Sequence, residues 1–152
     1  MRSLASERDK AEILRRVSTL RPDSPRRWGR MSSHQMVCHL SDGYRMRTEA
    51  RTARLVASPL PRPVMKWIAL NVVVRWPHGM RTTPELDQDV GGTRPLDFDA
   101  DRDTLLRLID DVASHRTPPA GCRHPIFGAM SEPAWLRWGY LHANHHLRQF
   151  GV

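Results

Sequence analysis

Cysteine is nearly missing. Cys38 and Cys122 are the only two among 152 residues, and they lie too far apart for any local metal-binding pair. That excludes a disulfide framework and suits reduced thiols in a cytoplasmic protein. Long apolar runs are missing too: the best, VMKWIALNVVVRW (64–76), is too short to span a bilayer and carries Lys66 and Asn71 inside it. No membrane association is therefore expected. A secretory leader is not expected either, because MRSLASERDKAEILRR is charged where an apolar segment would be required. Repeats and low-complexity tracts are absent, and there is almost no two-residue alternation of the kind strands show.

Lysine is the other scarce residue. Of 24 basic side chains all but two are arginine, against 16 acidic ones, for a net charge of +8. The excess is uneven: residues 1–76 carry 16 basic and 6 acidic groups, net +10, and residues 77–152 carry 8 and 10, net −2. Such asymmetry admits an anionic partner, and Arg47, Arg51 and Arg54 fall at helical spacing. No nucleic-acid motif accompanies them, so nucleic acid is disfavoured as a partner. With 39% hydrophobic and 26% charged residues, the chain reads as one globular domain, residues 1–152.

Four helices are expected. Residues 4–19 read as a helix, because Ile13, Leu14, Val17 and Leu20 recur at helical spacing. Ser32 and Gln35 form a capping-box pattern that opens a second helix, predicted to run to about Arg54. Leu105, Leu108, Ile109 and Val112 mark a third, about 101–115, behind the acidic start DADRD, which suits a helix dipole. Ser131 is a good N-cap for a fourth that continues to about Phe150. Between the second and third, residues 57–97 hold six of the twelve prolines and read as an irregular crossover with one short apolar helix near 64–75. This pattern predicts an all-α four-helix bundle with a long crossover, the place for an active-site cover.

Three histidines fall within five residues of the last helix: His142, His145 and His146. At 100° per residue, His142 and His146 lie roughly 40° apart on a face shared with Trp135, Trp138 and Gln149. His145 sits at the edge of that stripe. Imidazoles at i and i+4 can share one ion, although an isolated pair is more often a pair of interior or surface histidines. Ala143 stands where a metalloprotease would need its glutamate. A third ligand from another helix would change the balance, and His39 in the second helix is the candidate. It falls at an edge of that helix's buried face, which suits a pocket opening. His34 points away and reads as exposed; His78, His115 and His124 fall in or beside loops and read as surface residues.

With one inward histidine in RRWGRMSSHQMVCHLSD (26–42) and HxxxHLRQ within HPIFGAMSEPAWLRWGYLHANHHLRQFG (124–151), the chain resembles the DinB-like superfamily of metal-binding four-helix bundles, and more closely an uncharacterised branch of it. The resemblance implies that His39, His142 and His146 bind one divalent cation, commonly zinc or nickel, leaving positions for water or substrate. It also implies a dependence on low-molecular-weight thiols, which characterised relatives transfer or use in isomerisation.

Three neutral imidazoles with open positions suit catalysis better than a closed structural site. Gln149, one turn beyond His146, could orient an imidazole or a water; Asp42 is a weaker candidate for the same task. Cys38 lies about 100° round the helix from His39 and is not the nucleophile. The expected function is that of a metal-dependent transferase or isomerase acting on a small-molecule substrate with a small thiol. The alternatives are a non-catalytic metal-binding bundle, structural or sensing, and an anion-binding module built on Arg47, Arg51 and Arg54. A homodimer is compatible with all three.

Overall fold

A computed structural model describes residues 1–47, 51–57, 60–72, 75–80, 82–114 and 122–152. Its elements in chain order are α1 (Glu7–Ser18), α2 (Ser33–Arg47), α3 (Arg62–Trp67) running into a π turn (Ile68–Val72), a 3-10 turn (Pro84–Leu86), α4 (Phe98–Ser114), β1 (Arg123–His124), β2 (Gly128–Ala129) and α5 (Glu132–Gln149). Among the described residues the chain is all-α apart from β1 and β2, which form a two-stranded antiparallel hairpin. Among the described residues no helix is long and apolar enough to cross a membrane.

The helix starts follow from local chemistry. Ser6 Oγ accepts from the Asp9 N–H, and acidic Glu7 and Asp9 face basic Arg15 and Arg16 across α1, matching the helix dipole. At α2 the capping box closes in both directions: Gln35 N–H donates to Ser32 Oγ at 3.1 Å and Ser32 N–H to Gln35 Oε1 at 2.9 Å. Asp97 Oδ1 accepts from the Ala100 N–H at the head of α4, so α4 begins at Phe98 rather than near 101.

α1 and α2 each pack against both α4 and α5. Ile13 and Val17 from α1, Met36, Val37, Leu40 and Tyr44 from α2, Leu105 and Ile109 from α4, and Trp135 and Leu147 from α5 fill the space between them. Nearly every residue of α2 from Met36 to Arg47 is buried. The Tyr44 hydroxyl crosses to the Gly139 carbonyl at 2.9 Å and ties α2 to α5.

The second helix is shorter than its periodicity suggests. Residues 48–50 lie outside the described set, and 51–54 are not helical. Arg51 turns back instead, donating to the Glu85 and Gly91 carbonyls and pairing with Asp42 at 3.0 Å. Arg47 is buried and donates to the Val112 carbonyl. Arg47 and Arg51 are therefore occupied inside the fold, and the three arginines form no helical stripe.

Asp42 anchors the crossover. Its fully buried carboxylate accepts from Thr93 N at 2.8 Å, Thr93 Oγ1 at 2.6 Å and Gln88 Nε2 at 3.1 Å, and it pairs with Arg45 and Arg51. The 83–93 segment is thereby held across α2.

Candidate metal centre

His39, His142 and His146 come together between α2 and α5. One ring nitrogen from each lies within 4.8 Å of the others, and all three residues are buried. Helical spacing delivers the α5 pair, since i and i+4 stack on one face, and the packing of α2 against α5 brings in His39. The Nε2 atoms of His39 and His142 lie 3.2 Å apart. Two ligands about 2.0–2.1 Å from a tetrahedral zinc would be separated by about 3.3 Å.

Hydrogen bonds behind the rings set their tautomers. A carbonyl can only accept, so His39 Nδ1 carries its proton toward the Leu86 carbonyl, 2.9 Å away. His146 Nδ1 lies 2.9 Å from Gln149 Oε1, whose amide donates in turn to the Trp28 carbonyl at 2.9 Å. Both neutral rings then present an Nε2 lone pair to the common centre, an arrangement typical of metal-bound histidines. The His142 ring is fixed differently, stacked on Trp138 at 4.7 Å with its Nδ1 buried and without a hydrogen-bond partner.

Electrostatics keep the cluster neutral. Burial drives the pKa values of His142 and His146 well below the ordinary imidazole value, and the neighbouring histidines push the same way. His39 is lowered by burial as well, against the opposing pull of its Leu86 bond. Three buried, unprotonated nitrogens form a donor set that fits zinc or nickel.

Two glycines permit this packing. A Cβ at Gly43 would sit 3.1 Å from His142 Cε1. Gly29 has φ +78°, and a Cβ there would meet Gln149 Nε2 at 2.6 Å. A side chain at either position would press on the rings or on the amide that orients them.

Of the two residues expected to support the ligands, Gln149 touches one directly. Asp42 bonds to no histidine; its oxygens are spent on the crossover. His39, expected at a pocket edge, is covered by the Leu86 turn and only 6% exposed. His145 is half-buried beside the cluster, its pKa lowered to about 4 by burial and then by His78. It packs with Trp28, Trp76 and His78, where Trp28 and His78 stack at 4.0 Å, and these four rings flank the histidine centre.

Other expectations need correction. His34 is not free in solvent: its Nε2 lies 2.7 Å from Asp101 Oδ2, which also accepts from Cys38 Sγ at 3.6 Å and from the Leu96 N–H. These residues form a second group of ligand-type side chains, and here three donors already satisfy one carboxylate oxygen. Burial and then Asp101 raise the Cys38 thiol to about 12. His124 is buried rather than exposed, accepting from the Ile126 and Phe127 N–H groups and stacking on Phe127. His78 is exposed, as expected, and His115 lies outside the described residues.

Comparison with known proteins gives a family and no activity. A family model described as a protein of unknown function (DUF1569) matches residues 2–151. No curated protein and no solved structure matches the chain.

Proposed function

For a chain that belongs to the DUF1569 family, we propose that His39, His142 and His146 hold one divalent cation, zinc or nickel, through their Nε2 atoms, in a four-helix bundle of the DinB-like kind. The observation that carries this reading is the convergence of three buried imidazoles, with the Nδ1 atoms of His39 and His146 already committed to carbonyl-type oxygens. The packing of α1, α2, α4 and α5, with the long crossover between α2 and α4, supports the bundle assignment.

The reaction class that suits this centre is transfer or isomerisation using a low-molecular-weight thiol. When bound, the cation supplies the Lewis acidity that keeps a small thiol, or a water, deprotonated near neutral pH. The chain's own residues provide orientation and enclosure. Leu86 and Gln149 fix the His39 and His146 rings, Trp138 backs His142, and Trp28, Trp76 and His145 wall the approach. Cys38 takes no part as nucleophile, because its thiol is held toward Asp101 and resists deprotonation.

A second reading is an ion that only fixes helix packing or reports on metal supply. The low exposure of all three rings favours it. Metal analysis and a thiol assay separate the two. Protein reconstituted with zinc or nickel is expected to retain about one equivalent by elemental analysis. His39→Ala, His142→Ala and His146→Ala should each abolish tight binding, with His34→Ala and His145→Ala retaining most of it. Failure of reconstituted wild type to hold metal would sink both readings. Loaded protein should then accelerate conjugation of monochlorobimane with at least one of bacillithiol, mycothiol, glutathione or cysteine. Full metal occupancy with no reaction across that panel would favour the structural ion.

A further inference from the structure

On the other side of α5 from the histidines, a groove of about 470 Å³ is lined by Arg2, Arg75, Arg137, Arg148, Tyr140 and Asn144, together with Asn71 and Leu141. Arg137, Tyr140, Asn144 and Arg148 recur at helical spacing along α5 and form one wall. The stretch that follows α3 contributes Asn71 and Arg75, and the N-terminal segment contributes Arg2. Four guanidinium groups line the groove and no carboxylate does.

Those charges are only partly neutralised from behind. Arg2 pairs with Glu12 and Asp9 and donates to the Tyr140 hydroxyl. Arg137 is held in place by the Leu70 and Arg2 carbonyls, which are neutral acceptors, and feels the Asp9 carboxylate without pairing with it. Arg75 and Arg148 have no ion pair with any described residue. The Asn144 side-chain oxygen is taken by Arg16 at 2.8 Å, which leaves its amide N–H groups to point elsewhere. Like charges gathered around a concavity cost self-repulsion that an anion relieves, and guanidinium forks match phosphate oxygens in pairs.

We propose that this groove is a binding site for a small phosphorylated ligand carrying two or more negative charges. Its volume falls in the usual range for small-molecule sites, about 300–1,000 Å³. Its concave shape favours a compact ligand over a membrane surface or a nucleic-acid duplex, which would press against an outward-facing patch. The site is separate from the histidine centre and does not require it.

Pyrophosphate titrated calorimetrically into the metal-free 152-residue chain tests the proposal. One saturable site is expected, weakening as salt rises. Arg75→Gln and Arg148→Gln remove side chains without described ion-pair partners and should each weaken binding about tenfold. Arg94→Gln, an exposed arginine on the crossover, should leave binding unchanged. His39→Ala should also bind pyrophosphate normally, so that loss of the metal centre and loss of this site are told apart. The proposal is overturned if no saturable binding occurs, or if Arg94→Gln weakens it as much as the groove variants. It is equally overturned if phosphatidylglycerol vesicles or duplex DNA bind in an Arg75- and Arg148-dependent way while pyrophosphate does not.

Discussion

The α5 histidines are legible one residue at a time because a helix fixes direction from spacing alone. His142, His146 and Gln149 share a face by arithmetic, and the structure adds the contact between His146 and Gln149. His34 and His124 defeat the same arithmetic. The partner of His34 is Asp101, far along the chain, and His124 is buried by a hairpin turn packed on Trp135 and Trp138. His124 carries a consequence for acid stability. Burial lowers its pKa to about 3, below the unfolded value of about 6.5. Between those values the unfolded chain binds the extra proton, so the stabilisation is complete above about pH 6.5 and is lost as pH falls toward 3. The slope is about 1.4 kcal/mol per pH unit for one such group. His124→Asn keeps an acceptor for the Ile126 and Phe127 N–H groups and removes the titration. Urea unfolding between pH 6 and 4 should then lose stability more shallowly by about that slope. An unchanged slope would show that His124 is not the group responsible.

At the scale of elements, starts were easier to read than ends. Ser32 and Gln35 announce α2 because the capping box is chemistry confined to four residues. The end of α2 depends on carbonyls of the crossover that capture Arg51, and periodicity carries no trace of them. Asp42 illustrates the same division. Its place on the helix suggested support for the ligands, whereas its bonds make it the peg for residues 88–93. Asp42→Ala leaves the Thr93 N–H and the Gln88 amide without their acceptor, at about 1–3 kcal/mol for each group left unsatisfied. The paired arginines are partly exposed and add little. A lower urea midpoint is expected, together with faster amide exchange at Leu86–Thr93. Exchange there as slow as in wild type would mean the segment is held by other contacts.

Across the whole molecule, the all-α class was readable because apolar positions repeat at helical spacing in α1, α4 and α5 and strand-like alternation is nearly absent. The route of the crossover was not, since prolines and glycines say where a helix stops and not what the chain then covers. That route has a kinetic consequence. His39 Nδ1 is bonded to the Leu86 carbonyl and the 83–93 segment is pegged to Asp42, so the loop that orients this ring from behind is itself latched to α2. Full release of the proposed ion requires the His39 ring to swing away, and that ring is free to turn only when the latch lifts. Removal of zinc by a chelator should therefore reach a ceiling as chelator concentration rises, and that ceiling should be higher in Asp42→Ala. A rate that climbs in proportion to chelator without limit would place the ion in direct contact with solvent. Residence time at this centre would then be set by the Asp42 peg, which touches none of the three histidines, and affinity alone would not report it.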